Sequence, residues 1–308
     1  MTSLLIFIIM IAVFIFGMTL LRKGLFYLSA DSTKRWLTKF TNTPLKGMMV
    51  GIILTAIMQS SSAVMIITIG LVAVHLLTFR QTIGIILGTN IGTTITTELI
   101  TFDIESFILP IAIIGMLCAF IRRRSFQSIG IGLMGIACVF AAMRGFEHLA
   151  FTIKETPWVK DFLITLDQSL LLAVITGIVL TAIIQSSTAT TGILMGFLTA
   201  GGMDLSTAIA IMLGSNIGTC ADAYLASIGG RREAKLTAYA HIWLNIIGVL
   251  LFYPFIELLT NFGIGSADQI DRQLAHVGVL FNVITSLLVL PFAKPFSDLI
   301  IRLHDRKK

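Results

Sequence analysis

The chain has 308 residues, 56% hydrophobic and 12% charged, with a mean hydropathy of +0.94. Soluble domains carry roughly 25% charged residues, so a soluble enzyme or binding module is excluded and a polytopic membrane protein is expected. The net charge of +6 does not point to nucleic acid, because Lys and Arg gather in short stretches between apolar runs, as the positive-inside rule describes.

Seven crossings and two re-entrant hairpins are expected. Crossing 1, about residues 3–21, lacks a basic stretch before its apolar run; Arg22 and Lys23 follow it, so it reads as a membrane helix and not a cleaved leader. Hairpin 1, about 46–77, is too long for one span and short for two, and carries Gln59-Ser60-Ser61-Ser62 in its middle. Crossing 2, about 80–99, is expected to be interrupted at Gly88–Thr94. Crossing 3 is about 106–121 and crossing 4 about 127–150. Hairpin 2, about 168–200, bends at Gln185–Thr188. Crossings 5, 6 and 7 follow at about 204–227, 233–258 and 274–301. The longest polar stretches are Ala30–Lys46, Phe151–Gln168 and Thr260–Leu274. Cys118, Cys138 and Cys220 lie scattered in apolar segments and read as small core residues; no metal site is expected beyond sodium.

One phrase occurs twice. Gly51–Ala63 (GIILTAIMQSSSA) matches Gly177–Ala189 (GIVLTAIIQSSTA), and Gly88–Thr94 (GTNIGTT) matches Gly214–Cys220 (GSNIGTC), all at an offset of 126; 20 of the 44 positions from Gly51 to Thr94 are identical. Such a repeat in an apolar chain points to a transporter built from two copies of one unit, with its site where they meet. The expectation is an all-α polytopic membrane protein forming one transmembrane domain over 1–308. Repeat 1 covers 1–125, repeat 2 covers 126–258, and a final helix covers 274–302.

Three crossings per unit is an odd number, so the repeats should be inverted. Sorted along this path, 18 Lys and Arg fall on one face and only Arg144, Lys154, Lys160 and Arg272 on the other. The first face is read as cytoplasmic, with the N-terminus outside and the C-terminus inside a multi-pass cell-membrane protein. Hairpin 1 would then enter from the cytoplasm and hairpin 2 from outside.

The chemistry sits in the polar words. Gln59, Ser60, Ser61, Ser62, Gln185, Ser186, Ser187 and Thr188 offer amides and hydroxyls that both donate and accept. Half-helices starting at the bends would add free N–H groups and a positive dipole end, suited to an oxyanion that must bind and leave. No Arg or Lys is expected near either tip, which fits easy release. The alternative is that small polar residues serve close helix packing. Thr89, Asn90, Thr93, Thr94, Ser215, Asn216 and Thr219 lie in phrases whose paired glycines weaken a helix. Opened carbonyls with these oxygens would suit Na⁺; the alternative is a tight crossing of the small-xxx-small kind. Asp222, whose repeat partner is Thr96, has two open readings: an intramembrane carboxylate at the ion site, or a residue in water near Arg231. Glu98 is placed at an interface. His241, Asn245, His276 and Asn282 read as buttresses or packing hydrogen bonds. An intramembrane hydrolase is disfavoured, because duplicated serines do not fit a single nucleophile; the chain is not expected to be an enzyme.

These words resemble the type II sodium–phosphate cotransporter family: the twinned QSSS/QSST and G-T/S-N-I-G-T phrases, with the His241–Asn245 stretch, span roughly residues 45–290. The resemblance implies inverted repeats, Na⁺-driven movement of inorganic phosphate by alternating access, and phosphate held at the QSSS tips. Many bacterial members add a PhoU-like domain, and this chain is expected to be a member without one. Cys220 and Asp222 depart from the hydroxyls expected in the second copy. The implied partners are inorganic phosphate, sodium ions as coupling ion without other cofactor, and the lipid bilayer, with no nucleic acid; homo-oligomerisation stays open. So do export of phosphate, another oxyanion, H⁺ coupling, and a channel or non-transporting sensor.

Overall fold

The computed structural model describes residues 2–304, with the side chains of 27–33 left out. Among the described residues every regular element is helical. Helix α1 (Thr2–Lys39) is followed by a helical hairpin, α2 (Pro44–Met58) and α3 (Ser61–Ala73), and then by α4 (Phe79–Leu99), α5 (Glu105–Phe120) and α6 (Arg124–Ile153). A short helix α7 (Pro157–Gln168) leads into the second hairpin, α8 (Leu170–Ile184) and α9 (Ser187–Thr199). Next come α10 (Leu205–Gly218), α11 (Cys220–Ser227) and α12 (Arg232–Phe252). A 3-10 turn joins α12 to α13 (Ile256–Ser266), and α14 (Ile270–Val289) is joined by another to α15 (Ala293–His304).

Among the described residues five stretches are long and apolar enough to cross a membrane: 2–26, 124–153, 205–227, 232–266 and 270–304. They correspond to expected crossings 1, 4, 5, 6 and 7. Helix α4 has the length, at 21 residues, but its threonines and Asn90 dilute its apolar character. Helix α5, with 16 residues, is short. Three boundaries differ from the sequence reading. Helix α1 does not stop at residue 21; its backbone stays helical to Lys39 because nothing between breaks it. Helix α4 runs through Gly88–Thr94 without interruption. In the second copy the helix does break, with Thr219 as the joint between α10 and α11. Helix α7 occupies a stretch read only as polar; it is amphipathic, burying Val159, Leu163 and Leu166, and meets α8 at 119°.

The glycines of the repeated phrases serve close approach in both copies, in the unbroken α4 and in α10, which ends at Gly218. A methyl group built on Gly88 would stand 2.1 Å from the Met48 carbonyl oxygen, and one on Gly51 would stand 2.6 Å from that of Ile85. In the second copy, Gly214 faces the Val174 carbonyl at 2.0 Å and Gly177 that of Ile211 at 2.0 Å. The four glycines thus let α2 approach α4, and α8 approach α10, with backbone against backbone. Their role is close packing, not opening of the helix. A third such pair joins α1 to α6, where Gly17 and Gly135 face each other's backbones.

Candidate functional site

The two hairpin bends share one local design. Helix α2 ends on Gln59 and α8 on Gln185, both in the left-handed region, at φ 50° and 57°. Ser60 and Ser186 follow in extended conformation and cap α3 and α9, their hydroxyls accepting from the amides of Ala63 (3.1 Å) and Ala189 (3.2 Å). Such a cap stabilises a helix by about 1 kcal/mol. It also leaves the serine proton free to donate, and the first-turn N–H groups of Ser61, Ser62, Ser187 and Thr188 have no partner within their helices. Two helix N-termini are therefore presented with their positive ends exposed.

Both bends line one narrow cavity, with about 10 Å³ of room. Its wall holds all eight residues of the repeated polar words, Gln59, Ser60, Ser61, Ser62, Gln185, Ser186, Ser187 and Thr188, together with Thr55, Thr93, Thr96, Thr219 and Arg22. The bends are not equivalent in exposure: Gln59 is buried and its amide donates to the Ala56 carbonyl (2.6 Å), whereas Gln185 is exposed. Such walls offer neutral donors, N–H dipoles and a single cation, a set matched to a small oxyanion.

Arg22 corrects the reading that no cation stands near the words. Its Nε donates to the Gln59 carbonyl at 3.0 Å. Distance along the chain concealed it, and the early end placed on crossing 1 put it in cytoplasmic water. The signal was present: an arginine one residue past an apolar run lies mid-helix if the helix continues.

The residues matched to sodium are dispersed. Thr93 and Thr219, at equivalent repeat positions, line the cavity. Their hydroxyls donate back to the carbonyls of Thr89 (2.8 Å) and Asn216 (2.8 Å), leaving lone pairs for a cation. Asp222 is partly buried beside the cavity and accepts a hydrogen bond from Ser62. Thr89, Thr94 and Ser215 are buried, and donate to the carbonyls of Ile86, Ile91 and Met212. Asn216 donates to Met212 at 2.9 Å. Asn90 donates to Asn245 at 3.1 Å, and Asn245 donates in turn to the carbonyl of His241 and to the Cys220 sulfur. Asn245 thus ties α4, α11 and α12 together behind the cavity. Asn282 donates to Gly278, while His276 sits beside Ser266 (3.0 Å) and Glu98 (3.7 Å).

A larger, more open cavity lies near Asp103, away from both bends. There Arg144 is bonded to Asp103, Glu105 (3.3 Å) and Glu147 (3.0 Å). The Glu105 backbone N–H and the Arg144 guanidinium hold the Asp103 carboxyl below the usual carboxylate range. That cluster is internally satisfied and holds none of the repeated words.

Comparison with known proteins follows the same lines. The Na⁺/Pi-cotransporter family model matches residues 13–148 and 155–287. The chain is 40% identical over 300 residues to the uncharacterized protein YqeW of Bacillus subtilis, covering 97% of this chain and 98% of that protein. It is 24% identical over 296 residues to the putative inorganic phosphate export protein YjbB of Escherichia coli, covering 93% of this chain and 53% of that one. It is 42% identical over 132 residues to the human sodium-dependent phosphate transport protein 2C, covering 40% of this chain and 21% of the relative. No solved structure matches the chain.

Proposed function

The chain belongs to the Na⁺/Pi-cotransporter family, whose members are transporters and not enzymes, and from that premise we propose that it carries inorganic phosphate across the cell membrane, coupled to Na⁺, by alternating access. The observation that carries this reading is the meeting of both Gln-Ser-Ser bends, in the same backbone conformation, at one cavity. Phosphate is held there by the hydroxyls and amides of Gln59, Ser60, Ser61, Ser62, Gln185, Ser186, Ser187 and Thr188 and by the free N–H groups of two helix starts. Na⁺ is placed on the flank, where Asp222, the Ser62 oxygen, Thr93 and Thr219 supply hard oxygen ligands, and Ser62 then faces phosphate through its backbone N–H. Thr89, Asn90, Thr94, Ser215 and Asn216 hold the supporting frame. The two hairpins are related by an inverted repeat, so a tilt of one against the helices behind it opens the cavity to one side and closes it to the other.

A second reading, net export, is favoured by the name of the Escherichia coli relative, which matches over nearly all of this chain. The same cavity serves either direction, because binding and release are set by the gradients imposed on it. The test is transport by purified protein in liposomes, with phosphate loaded first on one side and then on the other. Movement of phosphate that disappears in the Gln59→Ala, Ser187→Ala double variant supports the reading; phosphate movement unchanged by that variant refutes the placement of the site.

A further inference from the structure

Resting on the reading that the cavity between the bends holds phosphate, we propose that Arg22 is a ligand of the bound anion, and that the anion lies off-centre, against the first hairpin, where Thr55 supplies a further hydroxyl. Among the described residues lining the cavity, Arg22 is the only charged one. Its Nε is engaged by the Gln59 carbonyl, which leaves the two terminal nitrogens of the guanidinium as donors. A planar fork with two such donors matches the edge of an oxyanion. The residue is also rigidly placed, since α1 is pressed onto α6 through Gly17 and Gly135.

Thr55 gives the second, independent sign. Its side chain is fully buried, lines the cavity, and its Oγ1 has no hydrogen-bond partner. The equivalent residue of the second hairpin, Thr181, is paired with Thr190 at 2.9 Å. The position matching Thr190 in the first hairpin is Val64, which has no hydroxyl to offer. A buried hydroxyl left without a partner is costly, and an anion oxygen in the cavity would satisfy it. The repeat is therefore broken at this pair in a way that favours one side of the cavity.

Asp222 explains how a fixed cation is compatible with release. It accepts from Ser62 and lies close enough to Arg22 for each to feel the other's charge. In the empty cavity the carboxylate offsets the buried guanidinium. When the anion arrives, Arg22 turns its charge to the phosphate, and Asp222 is left to a cation.

The test is titration of the detergent-purified protein with inorganic phosphate, read as the shift in thermal unfolding and by calorimetry. Arg22→Gln is expected to raise the half-saturating phosphate concentration about tenfold or more, with Arg22→Lys intermediate because the charge remains and the fork does not. The double variant Arg22→Gln, Asp222→Asn separates a ligand from a counter-charge. It restores the charge balance and is expected to bind phosphate as poorly as Arg22→Gln; recovery of wild-type affinity would show that Arg22 only neutralises Asp222. Thr55→Val is expected to weaken binding several-fold, to roughly the extent of one hydrogen bond, with Thr55→Ser restoring it and Thr181→Val lowering stability at unchanged affinity. Equal effects of Thr55→Val and Thr181→Val on affinity would overturn the off-centre placement. Gln185→Ala and Ser187→Ala distinguish the levels of failure: if these weaken binding and Arg22→Gln does not, the cavity stands and the Arg22 assignment falls. If the wild-type protein shows no response to phosphate, both fall together.

Discussion

Gln59 and Gln185 stand 126 residues apart and end their helices in the same left-handed backbone, at φ 50° and 57°. A non-glycine residue in that region costs of order 1 kcal/mol, and the fold accepts this twice at the bends that carry the polar words. Glycine would adopt the conformation without strain. Gln59→Gly and Gln185→Gly are therefore expected to leave thermal stability equal or slightly raised, while apparent phosphate affinity falls about tenfold through loss of an amide that meets a charged ligand. Parallel phosphate titrations and melting curves check this; unchanged affinity in both variants removes the amides from the site.

The bond between Ser62 and Asp222 joins the first bend to α11. Asp222→Asn is expected to alter the Na⁺ dependence of phosphate transport more than its selectivity among oxyanions. Ser62→Ala should act through the same contact, so the double variant should be little worse than the more damaging single one. Full additivity of the two effects would place them in separate sites.

The glycine contacts make a stability prediction independent of function. Gly88→Ala and Gly214→Ala would drive a methyl group into the carbonyls of Met48 and Val174, and are expected to destabilise the protein by about 1–3 kcal/mol or more. Gly70→Ala, with nothing within 4 Å of the added carbon, should be neutral or stabilising by about 0.5–1 kcal/mol, since it removes a glycine from the interior of a helix. Chemical or thermal unfolding in detergent distinguishes the two sets. A comparable loss in Gly70→Ala would show that glycine flexibility, not close packing, is what these positions provide.

The proposed inversion of the repeats predicts accessibility. With Cys118, Cys138 and Cys220 replaced, Ser61→Cys should react with a membrane-impermeant thiol reagent mainly from the cytoplasm and Ser187→Cys mainly from outside. The basis is the 18-to-4 sorting of basic residues, which Arg22 weakens by only one. Labelling of both from one side in every transport state would contradict the inversion.

The sequence made the bends legible because their signal is local: a polar word between two apolar half-helices, repeated at one offset, leaves few places for a turn. The glycine phrases were legible as important but ambiguous in role. A glycine pair weakens a lone helix and equally admits a neighbour, and only the facing backbones of Met48 and Val174 decide between them. Arg22 and Thr55 were hidden for a different reason. Each becomes notable through what its side chain meets in the fold, the Gln59 carbonyl in one case and the lack of a hydroxyl at Val64 in the other. Helix α7 escaped notice because its apolar residues, Val159, Leu163 and Leu166, are interspersed with charges that made the whole stretch read only as polar.

The account rests most directly on uptake of radiolabelled phosphate by proteoliposomes, with Na⁺, K⁺ and pH gradients imposed one at a time. It predicts accumulation under the Na⁺ gradient, little under the K⁺ gradient, and loss of the Na⁺-driven signal in the Gln59→Ala, Ser187→Ala double variant. Phosphate movement that is the same under all three gradients, or that survives the double variant, would contradict it.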